Sequence, residues 1–241
     1  MSENPDERVL LRYPEGSRLA RFLLREKRFL VQVEAAGEEF WVHCNNSGSM
    51  LGLLRPGSKV LISPASSQDR RLPCTLELVA CDSIWVGVNT LVPNRLLQQA
   101  WKAGVLPEVG GYEYYKSEAK TGLSRLDAML SGPKGSLWVE TKNVTLVEEG
   151  VAYFPDAVTS RGQKHLRELI HLAHEGVRVA CFYLVQRADA RCFGPADFID
   201  PQFAALFWEA KKAGVEMWPY RAVVSQEGIG LGPRLPLQHP G

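Results

Sequence analysis

The chain has 241 residues, 45% of them hydrophobic and 23% charged, which is apolar material for two modest cores or one large one and excludes wholesale disorder. Twenty-eight basic residues against twenty-seven acidic ones leave a net charge of +1, so composition selects no polyanionic partner and any binding to nucleic acid must be local. The start is acidic and polar, no apolar run approaches the ~18 residues of a membrane span, and five scattered cysteines fit neither a disulfide framework nor a zinc knuckle. The expectation is a cytoplasmic protein with reduced thiols and no membrane partner.

Up to residue 90 the pattern is short and period-two, with runs at 20–24, 29–33, 39–44, 59–63, 75–80 and 84–88 separated by turn-rich pieces. Such strands predict a compact closed barrel of the OB type over residues 1–90, a fold that often binds single-stranded nucleic acid, with a β-sandwich as the alternative. The segment from Arg18 to Arg28 holds five basic residues, Arg18, Arg21, Arg25, Lys27 and Arg28, against one acid, a local +4 that reads as a basic DNA-binding stripe on a strand. Near residue 90 the composition shifts. Pro93 suits a first helical turn, 95–103 has helical spacing and Gly104 stops it. Strand-like runs follow at 112–117, 123–130 and 137–146. A helix from Ser160 through Glu175, a strand at 178–186, a helix from Asp200 to Gly214 and a strand at 215–224 complete an order α-β-β-β-α-β-α-β. This predicts a mixed α/β domain over 91–224. Four Gly and three Pro in the last seventeen residues predict a flexible tail at 225–241.

The sharpest chemical site lies around a predicted hairpin. If Leu130 pairs with Leu137, paired positions sum to 267 and Asp127 falls opposite Glu140, with Lys142 on the side of Glu140. Opposed carboxylates repel, and two of them beside a lysine suit a hard cation such as Mg²⁺ or Mn²⁺, which prefers oxygen ligands and keeps waters. The bland alternative is an exposed ion-paired ribbon. Asp156 reads as a turn or capping aspartate, or as an accessory acid. Arg161, Lys164 and His165, in the first helical turns, can meet a DNA phosphate where the helix dipole favours anions. A solvated helix face is the alternative for those three, whereas His171 and His174 have an i, i+3 spacing that can bind metal but neighbour a helix end where imidazole is common, which is the favoured reading.

The segments His43-Cys-Asn-Asn-Ser-Gly-Ser-Met50, Ser124-Arg125-Leu126-Asp127, Glu140-Thr-Lys-Asn-Val-Thr-Leu146 and Phe154-Pro-Asp-Ala-Val-Thr159 through Arg161-Gly-Gln-Lys-His-Leu166 together resemble the sugar fermentation stimulation protein A family. The resemblance runs from Arg18 to about Val224 and implies an OB-like domain followed by a PD-(D/E)xK nuclease-like domain. It also implies a DNA-binding role linked with transcription regulation of sugar, notably maltose, metabolism in bacteria. Asp127 and Glu140 then match the nuclease pattern's metal acids and Lys142 its lysine, with Ser124, Arg125, Asp156 and His165 as accessory positions. Departures are Leu126 for the proline before the aspartate, Asn45 for proline, Ser47 for threonine and Thr141 for valine, whose side chain should point away from the metal face. Two functions follow: a DNA-binding module, or a Mg²⁺-dependent phosphodiesterase with Lys142 activating water. A metabolite-binding regulator has no aromatic platform to support it.

Overall fold

The computed structural model describes residues 10–65, 70–121 and 125–238, and every alternating run up to residue 90 forms a strand in it. After a short β1 (Leu10–Arg12) come β2 (Arg18–Glu26), β3 (Leu30–Ala35), β4 (Glu38–His43), β5 (Lys59–Pro64), β6 (Cys74–Cys81) and β7 (Ile84–Gly87). Strands β2 to β7 form one sheet in the order β4-β3-β2-β5-β6-β7. A parallel bridge from His43 to Thr75 joins β4 to β6, so five strands close on themselves. Bulges between Phe22 and Leu24 and between Leu61 and Ile62 supply the curvature that closure needs. Alternation then decides which side chains fill the interior: Phe22, Val31, Val33, Val42, Val60 and Ile62 are buried there. The closed barrel, not a sandwich, is the outcome.

Beyond it the chain runs α1 (Val92–Lys102), β8 (Tyr114–Lys120), β9 (Arg125–Gly132), β10 (Gly135–Val144), β11 (Leu146–Glu148), β12 (Val151–Phe154), α2 (Ser160–His174), β13 (Arg178–Val185), β14 (Cys192–Pro195), α3 (Pro201–Lys212), β15 (Glu216–Val224) and β16 (Gly228–Arg234). The main sheet has the order β1-β16-β15-β13-β10-β9-β8, with β10, β13 and β15 parallel at its centre. Helix α1 packs Leu96, Leu97 and Ala100 on one face. Helices α2 and α3 cover the other with Leu166, Leu169, Phe203 and Phe207. Central strands covered on both faces read as continuous apolar runs, which is the pattern of Arg178–Val185, buried from Val179 onward. Thr159, one residue before the predicted cap, caps α2 by accepting from Gly162 N at 3.0 Å, and Asp200 caps α3 by accepting from Phe203 N at 2.9 Å. Gly176 and Gly214, both at positive φ, end these helices.

Three expectations need correction. The predicted flexible tail contains a strand: β16 pairs with β15 and with β1, and Ile229 and Leu231 are buried. Its glycines permit close packing, since a Cβ on Gly228 would come 2.6 Å from Leu11 O and one on Gly232 2.5 Å from Arg221 O. Through that pairing β1 belongs to the second sheet, so the first unit does not begin at residue 1. The third sheet, β11-β12-β14, was not anticipated because its strands are only three or four residues long.

Candidate metal and nucleic-acid site

The hairpin register is the predicted one, with Leu137 opposite Leu130 and every pair from Gly135↔Gly132 to Val139↔Ala128 summing to 267. The ladder stops one rung before Asp127 and Glu140. There the Asp127 carboxylate takes over as acceptor, receiving Thr141 N at 2.8 Å and Asn94 Nδ2, from the first turn of α1, at 3.0 Å. Thr141 Oγ1 lies 3.0 Å from Asp127 Oδ2 and also contacts Asn94 Oδ1. The strand rolls at this point: Ala128 and Leu130 join the core under α1, whereas Leu126 joins the core under α2. The two carboxylates are therefore not a paired rung, and Thr141, expected to point away, is a direct partner of Asp127.

Glu140 and Lys142 point toward α2, as period two requires. Glu140 is 3% exposed, its Oε1 2.5 Å from Lys142 Nζ and in contact with His165 Nδ1, while Lys142 Nζ is 3.3 Å from the same ring nitrogen. Burial pushes the Glu140 carboxyl upward, but the Lys142 charge and the His165 contact outweigh it, so it titrates below the usual carboxylate range. Burial pushes the Lys142 ammonium down, and Glu140 more than restores it, so it titrates above the ordinary lysine value. Cys181, opposite Glu140 on β13, has its thiol pushed up to about 12 by burial and stays neutral. Glu140 Oε2 is buried without a hydrogen-bond partner among the described residues. A carboxylate oxygen in that state is expensive unless something electropositive faces it.

The remaining candidates fall in different places. His165, read from sequence as a phosphate contact, is buried against Glu140, whereas Arg161 and Lys164 on the same helix are exposed. Arg125 pairs with Glu118 at 3.2 Å on the surface, and Ser124 lies outside the described residues. Asp156 joins the two domains: its Oδ2 accepts Met50 N at 2.9 Å and Ser49 Oγ at 3.1 Å, and its main-chain oxygen accepts Ser49 Oγ at 2.7 Å. The motif loop behind this latch is held by Arg25, which donates to Asn46 O at 2.6 Å and to Gly48 O at 3.1 Å. The basic stripe is thereby divided. Arg25, half-exposed, is committed to the main-chain oxygens of the motif loop, Arg21 sits 3.7 Å from Glu34, Arg18 lies over the Phe40 ring, and Lys27 and Arg28 are exposed at a turn. Asn94 escaped sequence reasoning, although its place three residues before Leu97 on the inward stripe of α1 marks a polar group turned toward the sheet.

Family models described as the SfsA N-terminal OB domain and the sugar fermentation stimulation protein RE domain match residues 23–88 and 91–228. A sugar fermentation stimulation protein homolog of Syntrophobacter fumaroxidans is 60% identical over 98% of this chain and 90% of its own. Another, of Maridesulfovibrio salexigens, is 55% identical over 95% and 97%. The solved structure of Pyrococcus furiosus SfsA in complex with Ca²⁺ is similar at a TM-score of 0.89 and 26% identity, covering 96% of this chain and 100% of that one. With its barrel, its α/β domain and relatives matched over nearly their whole length, the chain belongs to the sugar fermentation stimulation protein family.

Proposed function

We propose that this protein binds DNA and that its second domain holds a divalent cation at Asp127 and Glu140. The observation that carries the reading is the buried, unpartnered Oε2 of Glu140, an oxygen of the kind a hard cation takes as ligand, in a carboxylate whose other oxygen is ion-paired with Lys142. Among the described residues no three His, Cys, Asp or Glu side chains converge on one point, so the cation would rest on one or two carboxylates and water, as Mg²⁺ commonly does. The Ca²⁺ complex of the Pyrococcus relative supports a divalent ion in this fold. Bound there, Mg²⁺ or Mn²⁺ supplies charge to offset a phosphodiester and polarises water. Lys142 holds a proton beside Glu140 with His165 in contact with the same carboxylate, Asn94 and Thr141 fix the Asp127 carboxylate, and the exposed Arg161 and Lys164 at the start of α2 receive phosphate. In the barrel, Arg18, Arg21, Lys27 and Arg28 offer further phosphate contacts. A role in regulating sugar, notably maltose, metabolism rests on family membership. A cytoplasmic location fits five free thiols and no helix, among the described residues, long and apolar enough to cross a membrane.

A second reading, hydrolysis of the phosphodiester, is favoured by the intact Lys142 at 2.5 Å from Glu140. The test is a panel of single-stranded, duplex and branched DNA with Mg²⁺ or Mn²⁺, run on wild type, Asp127→Ala, Glu140→Ala and Lys142→Ala. DNA binding in all four supports the first reading. Cleavage lost in the two carboxylate variants supports the second. Cleavage undiminished in Glu140→Ala refutes hydrolysis at this site, and failure to bind any DNA refutes the first reading.

A further inference from the structure

Three of the most exposed large apolar side chains lie in or beside the segments that form the latch between the domains. Leu51, 57% exposed, follows Met50, whose N–H is bound by Asp156. Val158, 72% exposed, lies two residues beyond Asp156. Phe198, 61% exposed, stands edge-on to Tyr153 at 5.0 Å and two residues before Asp200, whose Oδ2 accepts Thr159 N at 2.9 Å. A fourth, Phe29 at 49%, belongs to the turn that Arg25 ties to the same loop by donating to Arg28 O at 3.0 Å. Burial drives folding, so a surface that leaves these groups in water beside a hydrogen-bonded junction is shaped for something else.

Charge identifies the occupant. Lys27 and Arg28 on the barrel side and Arg161 and Lys164 on the other are all exposed, against Glu26 and Asp197, the latter accepting Phe198 N. Basic side chains interleaved with aromatic and apolar ones match a nucleic-acid strand whose bases are unpaired, because phosphates need cations and a splayed base needs a flat apolar partner. We infer that this cross-domain surface binds unpaired nucleotides of DNA, the bases lying on Phe29, Leu51, Val158 and Phe198 and the phosphates on the four cations. From Thr159 to His165 the helix climbs about 9 Å, at ~1.5 Å per residue. That is a short step along a DNA strand, and His165 contacts Glu140 and lies 3.3 Å from Lys142 Nζ, so a strand held here passes close to that pair. The inference rests on the DNA-binding reading above and adds the substrate: a strand with unpaired bases, read jointly by both domains.

The experiment measures affinity of the full chain for a single-stranded and a duplex oligomer of one sequence by fluorescence anisotropy without divalent ions. Variants are Phe29→Ala/Phe198→Ala, Leu51→Ser/Val158→Ser and, as a control from the edge of the main sheet, Tyr114→Ala. Wild type should prefer the single strand, and each double variant should lose about ten-fold or more on it while changing less than about two-fold on duplex. Tyr114→Ala should match wild type. Equal losses on both DNAs, or none on either, overturn the inference while leaving DNA binding intact, and absence of any binding by wild type overturns both readings. If sedimentation shows that wild type self-associates and Leu51→Ser/Val158→Ser does not, the patch is a protein interface and the inference is wrong.

Discussion

Truncating Asp156 should open the junction between the domains. Its carboxylate is the acceptor for Met50 N at 2.9 Å and for Ser49 Oγ at 3.1 Å, while the second Ser49 contact, to the main-chain oxygen at 2.7 Å, survives truncation. Asp156→Ala therefore strands one main-chain N–H next to a Met50 side chain that is 2% exposed. Hydrogen bonds to charged groups contribute ~1.5–3 kcal/mol, and an orphaned buried donor costs a similar amount, so about 2–3 kcal/mol should be lost. For a chain of this length ~1 kcal/mol shifts Tm by ~2–4 °C, giving a fall of roughly 5–10 °C. Asp156→Asn keeps an acceptor oxygen and should lose less than half as much. Thermal unfolding gives the magnitude, and hydrogen exchange at the Met50 amide localises it. A Tm within about 1 °C of wild type, with unchanged exchange at Met50, would refute the latch, and weakened Mn²⁺ binding in that variant would make Asp156 a metal ligand instead.

Gly48→Ala should damage the same junction from the other side, since a Cβ would stand 2.9 Å from both Asp156 carboxylate oxygens and from Asn46 Oδ1, and urea unfolding should register a loss of ~1–3 kcal/mol. Lys142→Ala leaves Glu140 buried with His165 as its remaining partner and should cost about 3 kcal/mol in denaturant. Combining Lys142→Met with Glu140→Gln should recover part of that loss, and strict additivity would contradict a coupled pair. Because Glu140 titrates below its unfolded value of ~4.3, its contribution is complete above that pH and disappears as pH falls through the lower folded value. Glu140→Gln should accordingly flatten the loss of Tm between about pH 5 and 3, and an unchanged acid limb would rule out that ionisation.

Short apolar runs between turns located all six strands of the first sheet, from the alternating β2 and β3 to β5 and β6, which are buried at consecutive positions, and pairing across the hairpin loop set the register around Leu130 and Leu137. It could not foresee that a side chain would replace a ladder acceptor: the Asp127 carboxylate binds Thr141 N, and the face assignment changes at that residue. Glycine-rich composition misled at the C-terminus, where Gly228 and Gly232 admit neighbouring strands. Charge counting found the basic stripe between Arg18 and Arg28 but not its division, since the commitment of Arg25 depends on a loop more than twenty residues away. Asp156 illustrates the same limit. A proline-aspartate turn was legible, but its partners Ser49 and Met50 lie in another domain.

The most direct test is calorimetric titration of Mn²⁺ into wild type, Asp127→Asn and Glu140→Gln. Saturable binding in wild type that is lost or much weakened in both variants is the predicted result, because Asp127 and Glu140 are the proposed ligands and Glu140 Oε2 has no other partner among the described residues. Equal heats in all three proteins, or no saturable binding in wild type, would contradict the assignment of a metal site to this pair.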